Sequence, residues 1–464
     1  MVFANSRKFP VLTGLLFLLS PFSLFAQPPV YSLSRLVDSA LHHYPLILQK
    51  QALLNSAEAA VTDARHSFLP SLQANEQINL GTDNSIPGSY VSYGIIPSSS
   101  SGIRDENNFR AAGGNIAILS AQYDLVDFGY RRAYIESAKS RANLFGADRE
   151  KEIYSLKIQA ARLYFNLLKN EFRLEVNRQN VERYENIFSV IRALTLAGLK
   201  PGSDSSLAKA ELSKSRIVYN QTGGQIRQIK EQLSFLTGIP AAGLEIDTTA
   251  KTYIHLRPQL VQLPGDGSPN PFLDYYEQQK KSLLAQEKLA GRTYLPKILL
   301  TASGWARGSG ISYDDSYHSL PQGLGYQRFN YLAGLSFQYD LFNGIHKHDK
   351  LQIYRFRTTA GDEALQQERL ALNAAYRQAE NALQTARANL DELPVQLGSA
   401  ENVYHQKLAQ YKAGIINLVD LTNAAFVLDR SQNDYIETLT DWYLARLDKS
   451  WALGKLDPFI NSIK

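Results

Sequence analysis

The stretch Tyr-Lys-Ala-Gly-Ile-Ile-Asn-Leu-Val-Asp-Leu, from Tyr411 to Leu421, has an earlier counterpart in Ala197-Gly198-Leu199 followed by Asp204. The two Ala-Gly pairs are 216 residues apart (413 minus 197), and so are Asp204 and Asp420. A second short motif, Gln-Tyr-Asp-Leu, begins at residue 122 and is repeated at residue 338, which is again 216 residues later. Two unrelated motifs repeated at the same offset indicate a tandem duplication. Each Ala-Gly pair lies between two long helical stretches, so each is interpreted as the turn of a helical hairpin.

The N-terminus of the 464-residue chain has the pattern of a secretory signal peptide over residues 1–26. Arg7 and Lys8 form a basic start, an apolar stretch follows, and Ala26 is a small residue at a plausible cleavage point. The alternative is a membrane anchor, but Pro21 interrupts a segment that is already short for a membrane span. The pattern therefore predicts an exported protein.

Composition excludes several classes of function. No later segment approaches the 18 consecutive apolar residues typical of a membrane-spanning helix. The chain has no cysteine, which excludes disulfides, thiolate metal sites and a lipid-modified N-terminal cysteine. The formal net charge is +5, two units of which belong to the signal peptide, so the mature chain is too weakly basic to indicate a nucleic-acid partner.

Four segments alternate between apolar and polar residues, with the period of two that is typical of strands. A Leu-Pro word, at residues 69–70 and 295–296, precedes the first and third. Glu76 is the exception on an otherwise apolar side. Each segment has the length and alternation of a transmembrane β-strand, although each signal is weak alone. The predicted strands cover residues of about 70–80, 115–125, 297–306 and 332–342.

The helical segments are much longer. Nothing interrupts the helical pattern between residues 130 and 196, which predicts a helix of about 100 Å at about 1.5 Å per residue. Its apolar residues form two heptad seams on different sides, so the helix is expected to have neighbours on both sides, like a stave in a barrel wall. The predicted helix pairs are 130–196 with 205–236 and 346–411 with 418–453. The predicted units are a first repeat at 27–238, a linker or equatorial region at 239–270, and a second repeat at 271–464.

Four strands cannot close a barrel, whose single-chain minimum is about eight strands. An open sheet edge is not tolerated in lipid, because every backbone polar group there needs a partner. Several copies of the chain must therefore build one barrel together. Two copies would give eight strands and three would give twelve, and the pattern alone does not choose between them.

The order of these elements, given twice, together with the Ala-Gly and Asp frame, resembles the TolC-like outer membrane efflux protein family over nearly the whole mature chain. The resemblance implies a mixed α and β membrane protein, with a homotrimer that forms a twelve-stranded β-barrel continued by a periplasmic α-helical barrel. It also implies a function: an outer-membrane exit duct of a tripartite efflux or type I secretion system. Such a duct passively exports substrates that an inner-membrane pump hands over through a periplasmic adaptor protein.

The resemblance also assigns the two tip turns, which are the hairpin turns that begin at Ala197 and at Ala413, to adaptor docking. Small residues there would allow close approach of the adaptor backbone. The alternative is that the Ala-Gly pairs are merely helix C-caps, and both interpretations can hold together. The residues assigned to docking are Ala197, Gly198, Leu199, Ala413, Gly414 and Ile415.

A periplasmic gate is implied beside these turns. Asp204 and Tyr411 match one polar link of the closed state, so we expect a hydrogen bond between them. Ile416 stands where the family's best-known member has an arginine, which removes a second link. Asp420 matches a ring of carboxylates whose usual partner is replaced by Asn423, so three acidic groups per trimer are expected in place of six. The alternative for both aspartates is helix N-capping.

Two equivalent tyrosines, Tyr123 and Tyr339, lie at the ends of the apolar rows of two predicted strands. They are interpreted as part of an aromatic girdle at the membrane interface, where contact with outer-membrane lipid is expected. The alternative is a pair of packed tyrosines below the barrel mouth.

No set of residues nominates an enzyme, a cofactor or a metal site. The chain has no nucleophile elbow and no phosphate-binding glycine loop. His346 and His348 are the one pair with spacing that could suit a metal, but a solvated helix start is preferred for them. The competing hypothesis from another class is a secreted coiled-coil structural protein or adhesin, which would explain the heptads but not the four alternating strands.

Overall fold

The computed structural model describes residues 30–85, 105–246 and 269–463. The predicted signal peptide at 1–26 and most of the linker predicted at 239–270 lie outside the described residues. The strands, in chain order, are β1 (Val30–Tyr31), β2 (Ser71–Gly81), β3 (Ala112–Val126), β4 (Glu245–Ile246), β5 (Lys297–Ser309) and β6 (Arg328–Gln338). The helices are α1 (Leu33–His43), α2 (Pro45–His66), α3 (Tyr130–Leu196), α4 (Gly202–Thr237), α5 (Pro271–Thr293), α6 (Asn343–Lys412), α7 (Leu418–Ala452) and α8 (Leu456–Ser462).

The four long strands form one antiparallel sheet in the order β2-β3-β5-β6. Directly opposed residues of antiparallel strands share a face, and Leu72, Ala121, Ala302 and Ala333 are opposed in turn across the sheet. The apolar rows predicted on separate strands therefore form one continuous apolar face. Glu76, the charge on that face, accepts hydrogen bonds from the Tyr326 hydroxyl at 2.8 and 2.9 Å.

The predicted end of the fourth strand is wrong. β6 ends at Gln338, not at residue 342, so Tyr339 lies outside the strand. The reason is a missing partner: Gln338 is opposite Lys297, where β5 begins, and among the described residues no strand lies on the other side of β6. β3 has β2 and β5 on its two sides, and it continues through Tyr123 to Val126.

The long helices pack as the two seams predict. α3 has 67 residues, or about 100 Å, and contacts α4, α7, α2 and α5 along its length. α6 has 70 residues and packs along α7 and α5. Its helix runs without interruption through Pro394. Residues from both seams of α3 are buried, namely Leu156, Ala160, Leu167, Tyr184 and Ile191 from one and Tyr154, Ala161 and Phe165 from the other.

A compact middle region connects the two repeats, and its short elements were not predicted. β1 pairs with β4 in parallel, and α8 packs beside α1, α3 and α7. Leu33, Leu36 and Phe459 are fully buried in the core that these elements share with α3 and α7. This core anchors the long helices midway, with the sheet at one end and the tip turns at the other.

Over the described ranges, none of the helices combines the length and the apolar character that a membrane crossing requires. The mixed fold with four strands and two long helix pairs, given in two tandem repeats, is confirmed.

Candidate functional site

The two tip turns have the same backbone. Gly198 and Gly414 follow the ends of α3 and α6 with φ of 73° and 74°. The Leu199 N–H donates to the Leu194 carbonyl and the Ile415 N–H to the Gln410 carbonyl, each at 2.9 Å. The Gly198 N–H donates to the Thr195 carbonyl and the Gly414 N–H to the Tyr411 carbonyl, each at 3.0 Å. The two bonds at each turn together form the Schellman C-cap. The interpretation of the Ala-Gly pairs as C-caps is therefore correct, and docking stays a prediction.

The glycines are required by their backbone angle and not by crowding. A Cβ atom placed on Gly198 or Gly414 would meet no atom within 4 Å. The residues that follow them project into open space, since Leu199 is 70% exposed and Ile415 is 73% exposed. Ala197 and Ala413 are also exposed. The protomer therefore leaves two equivalent apolar tips free for contact with another molecule.

Neither aspartate is an N-cap, so that alternative is wrong. α4 begins after Pro201, and Asp204 is its third residue. α7 begins after Asn417, whose side chain accepts a hydrogen bond from the Asp420 N–H at 2.9 Å. Both carboxylates lie in the first turn of a helix, where the positive end of the helix dipole stabilises negative charge.

The expected hydrogen bond between Tyr411 and Asp204 is not formed in this structure. Tyr411 is 3% exposed, and its hydroxyl has no hydrogen-bond partner among the described residues. Burial raises the pKa of Tyr411, and the nearby Asp204 carboxylate raises it further. The two groups are therefore close, but the hydroxyl is held in an apolar environment.

A residue that the sequence analysis missed joins the two turns. The Lys200 ammonium lies 5.3 Å from the centre of the Tyr411 ring, a cation–π contact between the first tip turn and α6. Lys200 is partly buried in this position. The available signal was that it is the one basic residue between α3 and α4, but its aromatic partner is more than 200 residues away.

An apolar cluster supports the second tip turn. Leu418 and Leu421, in the first turn of α7, are 1% and 0% exposed and pack with Tyr411 and with Ile191 of α3. Ile416 packs at the edge of the same cluster. Asp420 and Asn423 face away and are exposed. Ile416 thus makes an apolar contact at the position where the family resemblance led us to expect a charged side chain.

A polar network connects α3 to α7, farther from the tip turns than the apolar cluster. The Arg173 Nε donates to the Asn433 Oδ1 at 3.1 Å, and the Asn433 Nδ2 donates to the Asp429 carbonyl at 2.9 Å. Burial raises the pKa of the Asp429 carboxyl, while Arg183 and Arg173 act in the opposite direction. The network connects the two helix pairs through groups that are costly to bury when charged.

The two tyrosines at the strand ends have different surroundings. The Tyr123 hydroxyl accepts a hydrogen bond from the Arg131 guanidinium at 3.0 Å, and that guanidinium also lies 5.2 Å from the ring centre. Tyr339 is 42% exposed. The protomer therefore holds one of the pair against α3 and leaves the other open.

The part of the chain that the structure describes contains no group of three or more His, Asp or Glu side chains that could hold a metal ion. The His348 ring lies 3.0 Å from the Gln352 amide, and the His346 ring stacks on Tyr294. The two histidines thus contact different neighbours near the start of α6.

Solved structures with the same fold are outer-membrane channels. The outer-membrane channel OprN is 16% identical with a TM-score of 0.74, and the match covers 91% of this chain and 90% of that chain. CusC, described in terms of transmembrane channel formation, is 15% identical with a TM-score of 0.74, covering 92% and 93%. VceC from Vibrio cholerae is 17% identical with a TM-score of 0.72, covering 91% and 96%. Identities this low show the fold alone.

No individually characterised sequence matches the chain significantly. The model of one protein family, described as outer membrane efflux protein, matches residues 36–239 and 269–454. These two segments include both helix pairs, all four long strands and both tip turns. The protein therefore belongs to the outer membrane efflux protein family.

Proposed function

We propose that the protein is the outer-membrane exit duct of a tripartite efflux or type I secretion system. In this role it is exported by its signal peptide and passively releases substrates that an inner-membrane pump delivers through a periplasmic adaptor. The observation that carries the proposal is a sheet with one apolar face and two edges that are unpaired among the described residues. In the same chain this sheet is joined to two helix pairs whose longer members are about 100 Å long. The helices would extend through the periplasm from the barrel rim.

A homotrimer is the assembly that we favour. The unpaired backbone groups of β2 and β6 cannot face lipid without partners. Three copies of a four-stranded sheet would give a barrel of twelve strands with no free edge. The same closure would bring three sets of tip turns together at the far end and form an aperture there.

The competing function is a secreted coiled-coil structural protein or adhesin, and fractionation separates the two. The duct should remain with the outer membrane through high-salt washing, dissolve only in detergent and have the mass of a trimer. The matched sample is a periplasmic soluble protein from the same cells, which should be released without detergent. Release of this chain in the same soluble fraction would contradict the proposed duct.

The tip turns are proposed to dock the adaptor through Leu199 and Ile415, the exposed apolar residues after each glycine. Because the chain has no cysteine, single substitutions Leu199→Cys and Ile415→Cys allow site-specific cross-linking in intact cells. We expect a cross-link to a periplasmic adaptor from both positions and none from the matched exposed site Asn423→Cys. Cross-linking restricted to Asn423→Cys would contradict docking by the tips.

The gate is proposed to close through the contact of Lys200 with the Tyr411 ring, beside Asp204. This contact ties the first tip turn to the second helix pair and compensates for Ile416, which cannot form a charged link. Asp420 of each copy would form a ring of three carboxylates at the aperture, because Asn423 adds none. Such a ring should favour cations over anions by simple electrostatic attraction.

Conductance in a planar lipid bilayer tests the gate. A desolvated cation–π contact of about 1–2 kcal/mol corresponds to roughly a fivefold to thirtyfold change in a closed-to-open ratio. We therefore expect Lys200→Ala to raise basal conductance, while Lys412→Ala, which removes an exposed lysine at the end of α6 beside the other turn, leaves it unchanged. Tyr411→Phe keeps the ring and should behave as the wild type. A conductance equal to wild type in Lys200→Ala would exclude this latch.

The acidic ring is tested separately, by the ion selectivity of the pore and its block by divalent cations. Asp420→Ala should reduce the preference of the pore for cations and weaken block by divalent cations, whereas Asp391→Ala, an exposed carboxylate within α6, should change neither. Unchanged ion selectivity in Asp420→Ala would show that the aperture is lined by other groups.

A further inference from the structure

The two β-hairpins of the sheet are equivalent in register as well as in sequence. Ser71 of β2 is opposite Gln122 of β3, and Lys297 of β5 is opposite Gln338 of β6. The Leu-Pro words before β2 and β5 are 226 residues apart (295 minus 69), and the Gln-Tyr-Asp-Leu words are 216 apart. Adding 226 to residue 71 gives residue 297, and adding 216 to residue 122 gives residue 338, so the two offsets relate the first opposed pair to the second. β5 is therefore the structural counterpart of β2, and β6 is the counterpart of β3.

The protomer contains one junction between hairpins, formed by β3 and β5, in which Tyr123 is opposite Leu300. The counterparts of these strands are β6 and β2, which lie at the two opposite edges of the sheet. Every residue of both edge strands is exposed. A second junction of the same kind can therefore form only between two copies of the chain.

We propose that β6 of one copy pairs with β2 of the next copy. The register of this pairing is obtained by applying the two offsets to the opposed residues of the β3–β5 junction. This places Tyr339 opposite Ala74 of the partner subunit and Gln338 opposite Asn75 of the partner subunit. The proposal rests on the proposed barrel and specifies its subunit seam, that is, the β6–β2 junction between copies. The occupant of each open edge is a second copy of this chain.

The side-chain pattern supports this register independently of the offsets. In it, Leu335 is opposite Ile78 of the partner subunit and Ala333 is opposite Leu80 of the partner subunit, so the apolar row of β6 meets the apolar row of β2. Phe337 is opposite Glu76 of the partner subunit, which is the charged residue of that row. A slip of one residue would place the apolar row of β6 beside the polar row of β2, because strand side chains alternate between faces. The apolar face of the protomer therefore continues across the seam, with Glu76 as its exception.

The early end of β6 is a second point of support. Tyr123 is part of β3 and paired with Leu300, whereas its equivalent Tyr339 lies just beyond β6 and has no opposite residue in the part of the protomer that the structure describes. The seam supplies that residue, Ala74 of the partner subunit. β6 should consequently extend past Gln338 in the assembled protein, toward the residue 342 that alternation in the sequence predicts.

Disulfide cross-linking tests the register directly, because the chain has no cysteine of its own. The double variant Asn75→Cys with Gln338→Cys combines residues predicted to be opposite one another. In the shifted control, Gln77→Cys with Gln338→Cys, the partners are displaced by about 7 Å along the strand. Cysteines whose Cα atoms are more than about 7 Å apart do not form a disulfide without backbone movement.

An internal standard is available within one copy. Gln122 is opposite Thr301 in the β3–β5 junction, and the two offsets make this pair the counterpart of Gln338 and Asn75. Gln122→Cys with Thr301→Cys should form a disulfide within the chain under the same oxidation. It therefore sets the yield expected for a correctly aligned pair of the same type. A further pair, Ala74→Cys with Tyr339→Cys, samples the opposite face, because hydrogen-bonded and non-hydrogen-bonded pairs alternate along the strands.

The expected result is covalent dimers and trimers for the Asn75–Gln338 pair in outer membranes, reversed by reductant and at least about fivefold above the shifted control. Stronger cross-linking in the shifted control would overturn the register. So would the absence of cross-links from both aligned pairs in a detergent-extracted oligomer whose internal standard has oxidised. Failure of the proposed function is distinguishable, since the chain would then be released without detergent and form no oligomer.

Discussion

The two tip turns share a backbone and differ in what surrounds them. Gly198 and Gly414 occupy the same left-handed conformation with the same capping hydrogen bonds. In the second turn, the following helix starts with Leu418 and Leu421, both buried. The equivalent positions of the first turn are Gly202 and Ser205, which cannot form such a contact. Duplication has thus kept the turn and changed its packing.

The difference assigns separate roles to the turns. The second turn packs against α3 through the apolar cluster, whereas the side chain of Lys200 in the first turn contacts the Tyr411 ring of α6. A packed cluster is costly to separate, whereas one cation–π contact of about 1–2 kcal/mol is readily broken and remade. We therefore propose that the contact made by the first turn is the one that opens and closes.

The largest expected effect comes from the apolar cluster. Leu421→Ala should lower the free energy of unfolding by about 2–5 kcal/mol, since it leaves a cavity among fully buried side chains. The equivalent Ser205→Ala should change it by less than about 0.5 kcal/mol. Denaturant unfolding of the purified protein in detergent measures both. Equal losses in the two variants would remove the distinction between the turns.

Substitution of the turn glycines tests what the turns have in common. Gly198→Ala and Gly414→Ala should each cost about 1–2 kcal/mol, because a side chain is strained at positive φ whatever the open space around it. Gly202→Ala, at the start of α4, lacks that strain and should be neutral or slightly stabilising. Hydrogen exchange of the turn amides measures the local cost. Unequal effects at Gly198 and Gly414 would show that the backbones are not equivalent in solution.

The helix starts are expected to differ by less. Asn417→Ala removes the side-chain cap of α7 and should cost about 1 kcal/mol, seen as faster exchange of the Asp420 amide. Pro201→Ala removes no cap, since the Pro201 side chain accepts no hydrogen bond. If the two variants loosen α7 and α4 equally, capping does not distinguish the helix starts.

The polar network between the helix pairs predicts a dependence on pH. The Asp429 pKa is raised in the folded state, mainly by burial, so the associated stability is present in acid and lost as the pH rises through the folded pKa. Asp429→Asn should therefore stabilise the protein relative to wild type near pH 7, with a difference that shrinks as the solution is acidified. The exposed control Asp391→Asn should show no such trend. If the difference in unfolding free energy between Asp429→Asn and wild type grows as the solution is acidified, the direction of the predicted pH dependence is wrong.

The sequence predicted the features that are encoded locally or by repetition. The duplicated words located both tip turns, and alternation located the strands and the rows of their shared face. The contact of Lys200 with Tyr411 was missed because it joins segments far apart in the chain, which no local pattern reports. N-capping was weighed as the alternative role of Asp420, and the cap is instead Asn417, since a cap depends on which residue first takes helical angles. β4 and α8 were missed because two to seven residues carry too little periodicity.

We propose that this chain forms a channel across the outer membrane with its aperture at the tip turns. The decisive experiment is single-channel recording of the purified wild-type oligomer in a planar lipid bilayer. We expect discrete current steps of small size that prefer cations, with larger steps or longer openings in Lys200→Ala. A detergent-extracted oligomer that inserts into the bilayer and passes no current, in either form, would contradict it.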